Sequence, residues 1–133
     1  MSNKFCEKKI TLYGRSDRPE YSGIAFPVEL TMLEAFAGGI GQLLLFEKNI
    51  DVVRIGFNNL LFGDKPFKIS DSEFSDVIVS ILNEDLIKLE NKKIILTPLG
   101  RQVLFDNFNI DRSAYKTSVL RLFKAIGSTD LGE

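Results

Sequence analysis

The chain has 133 residues, 44% of them hydrophobic and 26% charged, with a formal net charge of −1. Those values suit one soluble globular domain that buries roughly two-thirds of its unfolded surface, so no disulfide or metal staple is required. There is no histidine, which removes the commonest general base and the commonest metal ligand, and the one cysteine, Cys6, cannot close an internal disulfide.

The opening MSNKFCEKKI lacks the apolar core of a signal peptide. The longest apolar stretch, residues 35–46, holds three glycines and Gln42 and falls short of the ~20 residues of a membrane span. A cytoplasmic protein without membrane attachment is expected. Charge is unevenly spread: residues 1–28 carry +2, residues 29–87 carry −6 and residues 88–133 carry +3. Such blocks mark candidate partner surfaces.

In chain order, KKITLYG (8–14) alternates as a short strand with Ile10 and Leu12 on one face. RSDRPEYSG (15–23) is turn chemistry. Pro27 suits a first helical position, and Leu30, Leu33, Phe36 and Ala37 follow at helical spacing. The glycines of AGGIGQ (37–42) interrupt that pattern at ~1 kcal/mol each relative to alanine, which calls for a break or a close helix crossing. For residues 50–62, Val53, Phe57, Leu60 and Leu61 favour a helix, although Ile50, Val52, Val53 and Ile55 also suit a strand. FGDKP (62–66) is a turn. Ser70-Asp71-Ser72-Glu73 has capping-box form, and Phe74, Val77, Ile78, Ile81 and Leu82 then make a buried helical stripe ending at Asn83.

LIKL (86–89) and KIIL (93–96) read as two strands of a hairpin, turned at Glu90-Asn91-Lys92 because asparagine tolerates left-handed backbone. Thr97 caps the next helix, Pro98 takes its first position, and Gly100 allows a close approach to a neighbour. A last helix follows Asp111, with Tyr115, Val119, Leu122, Phe123 and Ile126 on its stripe, and residues 127–133 form a disordered tail.

SEFSDVIVSILNEDLIKLENKKIILTPLGRQVL (72–104) resembles the recognition-helix-and-wing half of winged-helix domains. Asp85-Leu86-Ile87 stands where many members have Gly-Leu-Ile, and Leu96-Thr97-Pro98-Leu99-Gly100-Arg101 matches their Leu-Thr-x-x-Gly-Arg run. The expected class is therefore mostly α with a small β-hairpin (α+β). One domain is expected, with a strand-plus-loop extension over 1–27, a winged-helix-like core over 28–126 and an appended C-terminal helix. The resemblance implies that helix 71–83 would enter a DNA groove and that the C-terminal helix could pair in a homodimer.

Groove reading needs cationic or amide donors on the outer face of that helix. Its outer face instead offers Ser72, Glu73, Ser75, Asp76, Val79, Ser80 and Asn83. A protein partner is the better fit, with Ser72, Glu73, Asp76, Val79 and Ser80 as the contact set of an adaptor, inhibitor or immunity-type protein. The alternative is a DNA-binding regulator using Lys88, Asn91, Lys92, Lys93 and Arg101 around the wing and Arg112, Lys116, Arg121 and Lys124 on the last helix. Gly39-Ile40-Gly41 lacks full dinucleotide-fingerprint spacing. Cys6 has no histidine to activate it. Asp71, Glu73 and Asp76 are too few and wrongly spaced for a calcium loop. No catalytic residue, metal or cofactor is assigned.

Overall fold

The computed structural model describes residues 3–107. The elements are α1 (Asn3–Glu7), β1 (Lys9–Arg15), β2 (Ala25–Thr31), α2 (Met32–Ala35), α3 (Gly41–Leu43), α4 (Ile50–Phe62), α5 (Asp71–Asn83), β3 (Ile87–Glu90), β4 (Lys93–Leu96) and α6 (Pro98–Asp106). Two antiparallel hairpins, β1–β2 and β3–β4, accompany the helices in a mixed α+β arrangement. The helix expected after Asp111, over 112–126, and the tail at 127–133 lie outside the described residues.

The stretch from Pro27 departs from expectation. Instead of opening a helix, Pro27 sits in β2 opposite Tyr13, and the expected boundary between residues 27 and 28 falls inside that strand. Proline is tolerated here because the Tyr13 N–H donates to the Glu73 carboxylate at 2.8 Å, away from β2. Tyr13 and Pro27 thus form a non-hydrogen-bonded pair, and the missing proline donor lies on the outer edge. The helix starts five residues later. The Thr31 hydroxyl accepts from the Glu34 N–H at 3.1 Å, and the Glu34 carboxylate accepts from the Thr31 N–H at 3.0 Å. That capping box, Thr31-x-x-Glu34, decides the start over Pro27.

The glycines after α2 form a π-helical turn over Phe36–Ile40 that runs into α3. Widening a helix leaves backbone groups to be satisfied elsewhere. Gln42, only 6% exposed, supplies one partner: its side-chain amide donates to the Ala37 carbonyl at 2.8 Å. Gly41 is held to hydrogen by space, since a Cβ there would lie 2.8 Å from the Phe36 carbonyl oxygen.

α4 is a helix, as its spacing favours, with the Asn49 side chain accepting from the Asp51 N–H at 2.9 Å and Val53 and Phe57 buried. α5 buries Phe74, Val77, Ile78 and Ile81, the expected stripe. Between β3 and β4 the turn is two residues, Asn91 and Lys92, both with positive φ (48° and 67°), as a type I′ turn demands. An isolated bridge joins Asn49 to Lys93, and the Ile94 N–H donates to the Lys48 carbonyl at 2.7 Å. The hairpin is thereby tied to the segment entering α4. One core unites these parts, with Phe36, Ile40, Leu43, Phe57, Ile81, Leu86, Ile94 and Leu104 essentially without exposure.

The junction of α5, β3 and α6 is closely packed. The Thr97 hydroxyl donates to the Asp85 carbonyl and accepts from the Gly100 N–H at 3.0 Å, while the Thr97 N–H donates to the Leu86 carbonyl at 3.1 Å. A Cβ on Gly100 would lie 1.9 Å from the Leu86 carbonyl oxygen. Gly100→Ala should therefore cost about 2–3 kcal/mol, since backbone must move to admit the methyl. Asp85 has φ 59°, a left-handed value that costs a non-glycine residue about 1 kcal/mol. Asp85→Gly should raise stability by no more than about 0.5 kcal/mol, because glycine's greater freedom in the unfolded chain offsets most of the relief. Urea denaturation midpoints of the two variants check both signs.

Candidate macromolecule-binding surfaces

α5 carries the expected protein-contact residues, and the structure sorts them into two groups. Ser72, Asp76 and Val79 stand in the open, Val79 with 47% of its surface exposed. Ser75 and Asn83 extend the same open face. Glu73 and Ser80 are half-buried and engaged within the chain. The Ser80 hydroxyl donates to the Asp76 carbonyl at 2.9 Å.

Glu73 carries the more consequential contact. Its backbone N–H donates to the Ser70 hydroxyl at 3.1 Å, so the expected cap forms. The reciprocal half does not follow the local pattern: one Glu73 oxygen meets the Ser70 hydroxyl at 3.2 Å and the other accepts the Tyr13 N–H of β1. A strand edge is thereby fastened along α5. The two elements border a groove of about 180 Å³ whose lining includes Thr11, Leu12, Glu73, Asp76, Val77 and Ser80. Asp71 is tied to Arg54 at 2.7 Å, although its side chain is 89% exposed.

The basic residues expected around the wing are placed as follows. Lys88 approaches Glu90 at 3.3 Å on the same strand. Asn91, Lys92, Lys93 and Arg101 are exposed. Arg112, Lys116, Arg121 and Lys124 lie outside the described residues, as does the helix-mediated homodimer contact.

No protein-family model, curated protein or solved structure matches this chain.

One surface was missed by the sequence reading. Arg15 closes β1, residues 16–18 follow it, and residues 65–68 lie far away in the chain between α4 and α5; the backbone brings them together. Arg15 and Lys68 exchange both hydrogen bonds at 2.9 Å. Arg15, Arg18, Lys65 and Lys68 then share one groove of about 500 Å³. Lys65, Phe67 and Lys68 also line a second groove of about 330 Å³ that reaches Arg54, Asn58 and Asn59. The only sequence signal was the excess of bases in each segment, and nothing local joined the two.

The remaining candidates resolve simply. Gly39 and Gly41 are buried in the π turn and its continuation, with no loop open to a nucleotide. Burial pushes the Cys6 thiol pKa upward, and the charges of Glu84 and Glu7 add to that, which disfavours the thiolate. Among the described residues no three of His, Cys, Asp and Glu gather as a metal site. No described helix is long and apolar enough to cross a membrane.

Glu73→Ala removes the acceptor of the Tyr13 amide and should cost about 1.5–2 kcal/mol, in the range for hydrogen bonds to charged groups. Hydrogen exchange at the Tyr13 amide should accelerate selectively. Glu73→Gln keeps an acceptor and should lose less than half as much in urea denaturation.

Proposed function

We propose that this chain is a winged-helix-like, non-enzymatic binding module of the cytoplasm that uses α5 to contact a basic surface on a protein partner. The element order supports the winged-helix part of the reading. A helical segment over 32–43 leads to the bridge at Asn49, then α4, α5, the β3–β4 hairpin and a Thr-capped helix. The Asn49–Lys93 bridge ties the segment entering α4 to the hairpin and is compatible with that order.

The observation that carries the choice of partner is β1 lying beside α5, held by Glu73. A helix with its side chains is about 10–12 Å across, and a DNA major groove is about 12 Å wide. A helix with a strand along one flank exceeds that width. The face left open by β1 presents Ser72, Ser75, Asp76, Val79 and Asn83, with no lysine or arginine. A carboxylate at about 4 Å from a phosphate is repelled by ~1 kcal/mol in water and more near a protein surface. The same face suits a protein partner: Val79 supplies an apolar centre and Asp76 a charge for a basic rim. The competing reading, a regulator that binds DNA through the wing and the C-terminal helix, draws on Lys92 and Lys93.

The test pairs Asp76→Lys with Val79→Asp, two exposed positions whose replacement leaves the core intact. Affinity capture from the source cells with quantitative mass spectrometry should show a defined protein set depleted at least fivefold by the double variant. An unchanged set removes α5 from the contact. A set consisting of nucleic-acid-bridged proteins, released by nuclease, favours the regulator.

A further inference from the structure

We propose that the groove bounded by Arg15, Arg18, Lys65 and Lys68 binds the phosphodiester backbone of a nucleic acid, on a face separate from the open side of α5. Four cations gather there in a chain whose net charge is −1. Among the described residues none of the four forms an ion pair with a carboxylate. Asp17 is the one acid lining the groove. Asp71 of α5, which follows the lining residue Ser70, is paired with Arg54 at 2.7 Å. Unpaired like charges repel one another and raise the local concentration of anions.

The positions of these cations are built into the fold. The Arg15–Lys68 bridge fixes two of their Cα atoms. Lys65 lies over the Phe26 ring, its ammonium 4.8 Å from the centroid, which holds this cation against the hairpin. Phe67 is buried beneath, with Tyr21 edge-on to it at 5.3 Å and Phe26 at 5.4 Å. Those ring contacts pack the two segments against one another.

The shape decides the class of anion. No cation is buried in the groove, so it is not a cage for one small phosphate. It is open, and Lys65, Phe67 and Lys68 also line the second groove, where Asn58 and Asn59 add amide groups. An extended polyanion fits such a track. Duplex DNA carries one charge per ~1.7 Å of axis, and its condensed counterions are released on binding. An acidic peptide offers at most one charge per ~3.3 Å of extended chain. The denser polymer gains more from four closely spaced cations.

The experiment is fluorescence anisotropy of the full chain with fluorescein-labelled 20-mers of duplex DNA, single-stranded DNA and single-stranded RNA at about 50 mM salt. At least one should bind. For a duplex with three or four phosphates neutralised, affinity should fall roughly 40- to 150-fold between 50 and 200 mM salt. The Arg18→Ala/Lys68→Ala variant should weaken binding at least tenfold and flatten the salt dependence by about two in slope. Lys68→Arg should stay within twofold of the parent chain, and so should Lys92→Ala/Lys93→Ala on the wing. Circular dichroism confirms the fold of each variant, since all the replaced side chains are exposed. The proposal is overturned by any of three results: no binding to any of the three at 50 mM salt, loss that is equal or greater in the wing variant, or equal displacement by polyglutamate of matched charge. Each leaves the α5 reading standing, because none of these substitutions touches Asp76 or Val79.

Discussion

An edge strand must find partners for its outward amides, and the outer edge of β1 finds two of very different kinds. At Arg15 it meets the backbone of Lys68, which returns both hydrogen bonds. Two residues earlier, at Tyr13, it meets the carboxylate of Glu73 from α5. These contacts make the N-terminal hairpin part of the body. Together with the packing of Tyr21 and Phe26 on Phe67, they shape the groove beside α5 and the basic groove. An exposed edge is also an aggregation hazard, and here the remaining edge, on β2, is blunted by Pro27.

The same contacts redistribute charge in a way the chain order hides. Residues 29–87 carry −6 in total, yet Lys65 and Lys68, from within that block, fold against Arg15 and Arg18 from the basic N-terminal block. The acids of α5 are also not equivalent. Asp71 is compensated by Arg54, Glu73 is used as a hydrogen-bond acceptor by β1, and Asp76 alone keeps an open charge on the outer face. A helix that looks strongly acidic as a string of letters is a mild surface with one free carboxylate and a central valine. That composition resembles the less charged centre of a protein interface more than an electrostatic trap.

What could be read from the letters was local. The stripe of α5, the Ser70 and Thr97 caps, the helix at 50–62 and the need for glycine at 100 all follow from spacing within a few residues, and each has its place in the folded chain. The failures share one cause, which is competition from outside the local window. Pro27 is a good first helical residue, but the Thr31–Glu34 box and the pairing with β1 outweigh it. Glu73 has the spacing of a reciprocal cap, but a tertiary donor, the Tyr13 amide, takes its carboxylate. The glycines at 38, 39 and 41 announce an irregularity, and only the fold shows it as a π turn whose Ala37 carbonyl is met by Gln42. The basic groove could not be found by any periodicity, because two segments far apart in the chain supply it.

The two surfaces meet at the first turn of α5. Ser70 lines the basic groove, and Glu73, one turn on, lines the other. Charges this close couple through space: at ~10 Å and an effective dielectric of 20, two unit charges interact by about 1.7 kcal/mol before salt screening. A polyanion in the groove would feel Asp71 and Glu73 as repulsive were they bare. Arg54 pairs with Asp71, and Glu73 accepts from the β1 amide, so each of these carboxylates has a partner within the chain. One helix thus borders the basic groove at Ser70 and the groove beside β1 at Glu73, Asp76, Val77 and Ser80.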